Sequence, residues 1–311
     1  MYSIFIDGRN GTTGLRIAER LAQRGDIRLL TLPEERRKDP TARREILNAC
    51  DVALLCLPDD AAREAVGMIE NPAVRVLDTS TAHRTAPGWV YGFPELSAEQ
   101  RAKILASKRI AVPGCHASGF IALVAPLVRA GILPKDALLS CHSITGYSGG
   151  GKKMIAEYEA ERRDVQLDAP RQYGLNQGHK HLPEMRAMTG LNHAPIFCPI
   201  VSDFYSGMVV TVPLFASQLA NGSSVADIEA AYRAAYAGPV VVYDDVSANG
   251  FLAGNAAAGT DRMHIRVQGN EDRILLTAAY DNLGKGASGA AVQLLNLILD
   301  ANETEGLEGI V

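Results

Sequence analysis

The stretch that decides the fold is residues 2–14, which read YSIFIDGRNGTTG. Its first residues, 2–6, are mostly apolar, β-branched or aromatic, and this composition is typical of a strand. Gly8, Gly11 and Gly14 follow at three-residue spacing, and residues 15–24 then carry apolar side chains at helical spacing. A second apolar run, residues 27–32, follows that helix. The pattern predicts the beginning of a βαβ unit with a glycine-rich turn.

The same alternation continues outward along the chain. Residues 51–57 are a continuous apolar strand pattern, residues 60–70 a helix pattern and residues 74–77 another strand pattern. Apolar strands separated by helices predict a parallel sheet that is covered on both faces. Beyond Cys115, strand-like runs follow one another with few helices between them, at residues 137–144, 199–204, 207–212, 240–243 and 274–279.

We therefore predict an α/β protein with two domains. Residues 1–114 form a Rossmann-type, doubly wound dinucleotide-binding domain, and a C-terminal helix, residues 285–311, completes it. Residues 115–284 form a catalytic and oligomerisation domain of the α+β type, with a mostly antiparallel or mixed sheet.

Composition excludes several other classes of protein. The chain has 311 residues, a net charge of −4, 47% hydrophobic and 21% charged residues, so it is neither disordered nor a nucleic-acid binder with a concentrated basic surface. No segment reaches about 18 consecutive apolar residues and no secretory signal is visible, so we expect no membrane partner. The odd number of scattered cysteines, five, favours reduced thiols and a cytoplasmic location.

The glycine turn is the first candidate cofactor site. Missing side chains would let a pyrophosphate approach the helix N-terminus, although the G-x-x-G-x-x-G spacing also fits an ordinary tight turn. About twenty residues later, the acidic pair Glu34 and Glu35 precedes a basic cluster that could bind a 2′-phosphate or be a solvated charge run. The predicted cofactor contacts are Gly8, Asn10, Gly11, Thr12, Thr13, Gly14, Arg36, Arg37, Asn282 and Gly284.

Cys115 is the candidate nucleophile. It lies in residues 112–119, VPGCHASG, just before an apolar helical run. A cysteine at a helix start gains thiolate character from the partial positive charge there, and neighbouring backbone N–H groups could hold an oxyanion. The alternative is a small buried hydrophobic side chain, which the flanking glycines disfavour.

A histidine pair is the candidate acid/base group. His179 and His181 are two residues apart, so on an extended segment they point the same way, and Glu184 follows at the start of a predicted helix. A general base for a thiol, oriented by the carboxylate, fits better than a metal site, because no further ligands accompany the pair. His116 is less suitable if its ring projects away from Cys115 along the helix start.

Two further glycine-rich segments, residues 146–153 and 281–289, predict close approach of the backbone to a ligand. Residues 78–84, DTSTAHR, supply an arginine as an anchor for an anionic substrate group. The predicted substrate contacts are Arg84, Ser148, Lys152 and His179.

Taken together, these motifs resemble those of the N-acetyl-gamma-glutamyl-phosphate reductase family in its shorter, type 2 form. The resemblance runs in order from residue 1 to about residue 298 and includes residues 91–96 (YGFPEL), 112–120 (VPGCHASGF), 146–154 (GYSGGGKKM) and 179–185 (HKHLPEM). It implies NADPH-dependent reductive dephosphorylation of N-acetyl-glutamyl 5-phosphate to N-acetyl-glutamate 5-semialdehyde, a step of arginine biosynthesis.

The resemblance also implies roles for individual residues. Cys115 matches the catalytic cysteine, which forms a thioester, and the H-x-H-x-P-E motif falls on His179, His181 and Glu184. We favour His181 as the acid/base. The implied cofactor is NADP(H), the implied partner is a small-molecule acyl phosphate, and the family fold implies a homo-oligomer, either a dimer or a tetramer.

Two alternatives stay open. An enzyme of the aspartate-semialdehyde dehydrogenase type would run the same chemistry on another acyl phosphate, and the H-x-H-x-P-E segment disfavours it. A non-catalytic dinucleotide-binding protein would keep the cofactor site without turnover, and the position of Cys115 beside His116 in the sequence disfavours it.

Overall fold

The computed structural model describes residues 1–245 and 250–310. Within these residues the helices are α1 (Thr12–Leu21), α2 (Pro40–Ala49), α3 (Asp59–Gly67), α4 (Ala98–Ala106), α5 (Cys115–Arg129), α6 (Gly151–Tyr158), α7 (Leu182–Thr189), α8 (Val225–Ala235) and α9 (Gly289–Ile298). The strands are β1 (Tyr2–Asp7), β2 (Ile27–Leu30), β3 (Val52–Leu55), β4 (Arg75–Asp78), β5 (Val90–Tyr91), β6 (Arg109–Ala111), β7 (Ser140–Gly146), β8 (Arg171–Gln172), β9 (Ile196–Ser202), β10 (Met208–Phe215), β11 (Val241–Tyr243), β12 (Met263–Gly269) and β13 (Arg273–Tyr280).

The first sheet is parallel throughout, in the order β2-β1-β3-β4-β6-β5. All four residues of β3 are buried, as expected for a strand covered on both faces. The chain passes from β1 to β2 on one side and then to β3 on the other, so the strand order reverses between β1 and β3. Ligands of doubly wound sheets bind at such a switch point, outside the carboxyl ends of the strands.

The second sheet is mixed, in the order β11-β12-β13-β10-β7-β9-β8. Helix α5 packs against β10, β13 and α7. Twelve of its fifteen residues are buried, from His116 to Leu127, as expected for a helix that is apolar on all sides. The predicted α/β class, with a Rossmann-type parallel sheet and a second domain that has a mixed sheet, is confirmed.

Two compact units divide the chain. The first comprises Met1–Pro94, Glu99–Pro113 and Ala287–Gly306, and the second Glu95–Ala98, Gly114–Gly286 and Leu307–Val311. The predicted division at residues 114 and 285 differs from this by one or two residues at each boundary and at two short segments, Glu95–Ala98 and Leu307–Val311, which belong to the second unit. Glu95 pairs with Lys285 of the second unit, and Asp261 of that unit donates its backbone N–H to the Glu308 carbonyl. Residues 246–249 and Val311, which the predicted domain ranges include, lie outside the described residues.

Two predicted helix boundaries were wrong. Helix α1 begins at Thr12 rather than at residue 15, because its N-cap is Gly11, which has no side chain and so leaves no polar cap signal in the sequence. At the other end of the chain, a π-helical turn, Gly284–Ser288, precedes α9, which begins at Gly289. None of the helices within residues 1–245 and 250–310 combines the length and the apolar character that crossing a bilayer requires.

Candidate active site

The glycine turn lies at the switch point of the first sheet. Gly8 has a φ of +83°, which favours glycine, and a Cβ there would lie 2.2 Å from the Cys56 carbonyl oxygen, directly beyond β3. A Cβ on Gly14 would lie 2.6 Å from the Gly8 carbonyl oxygen. Both positions therefore exclude any side chain, and the turn closes on itself through the Gly11 N–H, which donates to the Gly8 carbonyl at 2.9 Å.

The start of α1 is suited to an anion. Its N-cap is Gly11, and no side chain caps the helix, so the first-turn N–H groups, which have no partner within a helix, can donate to a bound anion. Thr12 and Thr13 are half-buried in this turn and Asn10 is exposed beside it. A helix N-terminus that glycines open to the approach of a ligand fits a pyrophosphate.

The basic cluster follows β2, in and after a short 3-10 turn, Glu34–Arg36. The Arg36 guanidinium lies 3.4 Å from the Asp39 carboxylate, and that of Arg37 lies 3.1 Å from the Glu34 carboxylate. Both arginine side chains are about half exposed, at 50% and 47%. Exposed ion pairs of this kind contribute little, about 0–1 kcal/mol, so a phosphate can displace them.

Cys115 is the first residue of α5, in the second unit. Its N-cap, Gly114, is extended and makes no side-chain cap, so the partial positive charge of the helix start acts on the Cys115 thiol. The π-helical turn packs against this residue, because a Cβ on Gly286 would lie 3.0 Å from Cys115 Cβ. The predicted position of Cys115, glycine-flanked at a helix start, is the position that it occupies.

Glu184 connects the histidine pair to this helix start. Its side chain is 1% exposed, its Oε2 accepts a hydrogen bond from the Gly114 N–H at 3.1 Å, and its Oε1 lies 3.9 Å from His181 Nε2. The carboxylate therefore positions the residue before Cys115, and it also lies close to the imidazole. Because the Gly114 N–H is engaged in this way, it does not contribute to an oxyanion site.

His179 and His181 are brought together as predicted, but by a turn before α7 and not by an extended strand. The backbone N–H of His181 donates to His179 Nδ1 at 3.2 Å, and the ring centroids are 4.7 Å apart. A nitrogen that accepts is unprotonated, so the proton of neutral His179 is on Nε2. His181 is buried, whereas His179 is half-buried.

His116 lies in the same cluster, which the sequence did not reveal. Its ring centroid is 5.7 Å from that of His179 and 5.6 Å from that of His181. Both of its nitrogens are engaged, Nδ1 with the Ser143 hydroxyl at 2.7 Å and Nε2 with the Tyr173 hydroxyl at 2.6 Å. Burial, with His179 nearby, lowers the pKa of His116 to about 3, so this imidazole is neutral. It packs against the rings of His179 and His181.

Several other predicted contacts belong to the second unit. Asn282 donates from Nδ2 to the Ser148 hydroxyl at 3.0 Å and accepts from the Gly207 N–H at 2.9 Å, so the predicted cofactor residue and the predicted substrate residue touch each other. Gly284 lies in the π-helical turn, where a Cβ would be 2.3 Å from the Thr260 carbonyl oxygen. Lys152 is exposed in the first turn of α6.

Arg84 lies in the first unit and is buried. Its Nε donates to the Val112 carbonyl at 3.0 Å, and its Nη2 donates to the Thr79 carbonyl at 3.0 Å. These bonds tie the loop after β4 to the residue after β6. A role in substrate binding stays a prediction for Arg84. In the part of the chain that the structure describes, no three His, Cys, Asp or Glu side chains gather into a metal-binding group.

Two family models match the chain. Residues 4–104 match the NAD binding domain of semialdehyde dehydrogenase, and residues 115–282 match its dimerisation domain. Solved structures agree on the fold. The aspartate semialdehyde dehydrogenase from Francisella tularensis has a TM-score of 0.72 at 14% identity, covering 96% of this chain and 100% of that one. Aspartate semialdehyde dehydrogenase II from Vibrio cholerae, complexed with ASA, has a TM-score of 0.70 at 16% identity, covering 96% and 98%.

The relatives with higher sequence identity are N-acetyl-gamma-glutamyl-phosphate reductases and not aspartate semialdehyde dehydrogenases. The N-acetyl-gamma-glutamyl-phosphate reductase of Burkholderia cenocepacia is 47% identical over 96% of this chain and 98% of its own length. The N-acetyl-gamma-glutamyl-phosphate reductase 2 of Pseudomonas putida is 46% identical over 97% and 98%. The chain therefore belongs to the semialdehyde dehydrogenase family and, within it, to the group of the N-acetyl-gamma-glutamyl-phosphate reductases. Its first unit binds a nicotinamide dinucleotide.

Proposed function

We propose that this chain reduces N-acetyl-L-glutamyl 5-phosphate to N-acetyl-L-glutamate 5-semialdehyde and phosphate, with NADPH as the reductant. The observation that carries the proposal is the match to reductases of that name at 46–48% identity over nearly the whole chain. The arrangement of the catalytic residues that we assign also supports the proposal. Cys115 lies at the start of α5, and His179, His181 and Glu184 form a cluster in the same unit.

In the proposed mechanism the chain's own residues make and break the acyl bonds. His181 takes the proton of the Cys115 thiol, and the thiolate attacks the acyl carbon. The bond from carbon to the phosphate oxygen breaks, the phosphate leaves, and a thioester to Cys115 remains. Glu184 keeps the His181 ring and the Gly114 backbone in place during both steps.

The dinucleotide, when bound, supplies the hydride that reduces the thioester carbonyl. The resulting tetrahedral intermediate then expels the Cys115 thiolate and becomes the aldehyde. First-turn N–H groups of α5 other than that of Gly114 are suited to the negative charge that develops on the carbonyl oxygen.

The preference for NADPH is proposed from Arg36 and Arg37. Each guanidinium can exchange its exposed carboxylate partner for a 2′-phosphate, which it binds through charge-assisted hydrogen bonds. Glu34 and Glu35 are exposed and can turn to solvent. Asn10, Thr12 and Thr13 are proposed to contact the pyrophosphate beside the three glycines of the turn.

We also propose a cytoplasmic homo-oligomer, a dimer or a tetramer, that pairs through the second sheet. The strand register puts four exposed apolar residues on one face of that sheet, namely Ile144, Ile196, Phe215 and Leu275. These residues are 37–64% exposed, and a partner copy that packs on this face would bury them. The name of the matching family model, a dimerisation domain, supports this pairing.

The test is the reverse reaction, in which reduction of the dinucleotide is followed by its absorbance at about 340 nm. The purified chain receives N-acetyl-glutamate semialdehyde, inorganic phosphate and NADP⁺, with aspartate semialdehyde and NAD⁺ in parallel reactions. We expect phosphate-dependent reduction of NADP⁺ with the acetylated substrate, and rates lower by about 100-fold or more with aspartate semialdehyde, whose shorter chain loses remote binding energy. Equal or greater activity on aspartate semialdehyde, or no turnover with either, would refute the proposal.

A further inference from the structure

Tyr280 makes an unusual contact with the helix that carries the nucleophile. It is the last residue of β13 and is fully buried. Its hydroxyl donates to the Cys115 carbonyl at 2.5 Å and accepts from the Gly119 N–H at 3.0 Å. In a regular α-helix these two groups, four residues apart, bond directly to each other. When a side-chain hydroxyl inserts between two such groups, the helix bends locally.

Gly119 makes room for this hydroxyl. A Cβ at that position would lie 2.7 Å from the Tyr280 hydroxyl and 2.6 Å from Val210 Cγ2. Any other residue at position 119 would push the hydroxyl away from the Cys115 carbonyl or displace the strand behind it. Burial, with Cys115 nearby, raises the pKa of the Tyr280 phenol well above its ordinary value, so the hydroxyl keeps the proton that it donates.

The same helix provides a comparison. Tyr236 and Tyr232 are also buried, and their hydroxyls donate to the carbonyls of Ala122 at 2.5 Å and Leu123 at 2.6 Å. Three tyrosine hydroxyls thus bond to backbone carbonyls of α5. One of them contacts the nucleophilic residue itself, whereas the other two act seven and eight residues further along.

We propose that Tyr280 is a positioning residue, whose hydroxyl fixes the carbonyl of Cys115 and thereby the direction in which the thiol leaves the first turn of α5. This proposal rests on the proposed function, in which Cys115 is the nucleophile. Without the hydroxyl, the Gly119 N–H can donate directly to the Cys115 carbonyl, and this new hydrogen bond would shift the first turn of α5. A shift of about 1 Å in a reacting group can cost about 100-fold in rate.

The experiment compares Tyr280→Phe with Tyr232→Phe and Tyr236→Phe. Each variant loses one buried hydroxyl, which makes two hydrogen bonds to α5 in Tyr280 and one in each control, so all three should lower the melting temperature. We expect Tyr280→Phe to reduce kcat by roughly 10- to 100-fold with KM changed less than about twofold. The two control variants should keep kcat within about twofold. The rate of Cys115 alkylation by iodoacetamide, measured against pH, should change in Tyr280→Phe and match the unmodified protein in the controls.

Equal kcat values and equal alkylation profiles in all three variants would overturn the proposal, and so would an equal loss in all three. If Tyr280→Phe does not fold, Gly119→Ala made in a Val210→Ala background displaces the hydroxyl instead of deleting it. We expect the same loss of kcat relative to Val210→Ala alone, and an unchanged kcat would overturn the proposal. If the unmodified chain has no reductase activity, the proposed function fails, whereas the alkylation profiles still test Tyr280.

Discussion

The helices α1 and α5 begin in the same way and are surrounded differently. Each follows a glycine N-cap in extended conformation, Gly11 or Gly114, and neither has a side-chain cap. Helix α1 buries four of its ten residues, so it is amphipathic, whereas α5 buries twelve of fifteen. The start of α1 is shaped by glycines and its own backbone. The start of α5 is held by side chains from distant parts of the second unit, among them Glu184 and Tyr280.

This difference fits two kinds of task. A polyanion such as a pyrophosphate is recognised by several backbone N–H groups, so a bare turn and a helix dipole suffice. A single nucleophile has to be placed accurately against one carbon atom, which requires a rigid surrounding shell. Changes at the start of α5 should therefore affect turnover, and changes near α1 should affect cofactor affinity.

The largest effect is expected for the nucleophile itself. Cys115→Ser should reduce turnover by several orders of magnitude, because a hydroxyl of much higher pKa replaces the thiol. Dinucleotide affinity, measured by fluorescence titration, should stay within about twofold of that of the unmodified chain, as is expected if only the nucleophile is lost. Cys198→Ala, on β9, is the control and should keep its activity. Ordinary turnover in Cys115→Ser would exclude the thioester mechanism.

The histidine pair should show the next largest effect. General acid-base catalysis contributes about 10²- to 10⁴-fold, so His181→Asn should lose kcat in that range. His179→Asn should lose less, because its Nδ1 accepts a backbone hydrogen bond and its role is to orient or to contact substrate. Steady-state kinetics of the two variants decide between them. If His179→Asn has the lower kcat, the acid/base assignment belongs to His179.

The buried environment of α5 predicts a pH dependence of stability. The pKa of His116 is lowered to about 3, well below its unfolded value of about 6.5. As the pH falls from about 6.5, the unfolded chain binds a proton that the folded imidazole does not, so stability decreases with falling pH. Between about pH 6 and pH 4 this one group contributes up to about 1.4 kcal/mol per pH unit.

Urea unfolding of the unmodified chain and of His116→Gln, measured from about pH 7.5 to about pH 4, checks this contribution. Other carboxylates and histidines titrate in both proteins, so the difference between the two slopes isolates His116. Below about pH 6, the free energy of unfolding of the variant should fall less steeply with decreasing pH than that of the unmodified chain. Near pH 7 the two dependences should agree. Parallel profiles throughout would mean that His116 is protonated in the folded chain.

The smallest effect is expected near α1. Replacing Arg36 and Arg37 together by alanine should raise the KM for NADPH by roughly tenfold, equal to about 1.4 kcal/mol, and leave that for NADH nearly unchanged. The reason is that exposed guanidinium groups act on the 2′-phosphate and not on the part that both cofactors share. Arg44→Ala, an exposed position on α2, is the control. An equal loss for both cofactors, or an unmodified chain that prefers NADH, would contradict the assignment.

The sequence by itself determined the local features of both helix starts. The glycine spacing, with an apolar strand before it and an amphipathic helix after it, predicted the turn at Gly8 and Gly14, because a backbone that admits no Cβ has to be glycine. The continuous apolar runs predicted the parallel sheet, because strands buried on both faces contain few polar residues. The glycine before Cys115 and the apolar run after it likewise predicted a thiol at a helix start.

Only the tertiary structure decided which side chains surround that thiol. The Glu184 bond to Gly114 joins residues 70 apart, and the Tyr280 bond to Cys115 joins residues 165 apart. Helical and strand periodicity arise from neighbours a few residues away, so they hold no information about such contacts. The ring of His116 is in the histidine cluster for the same reason, since Ser143 on β7 and Tyr173 beyond β8 hold it there.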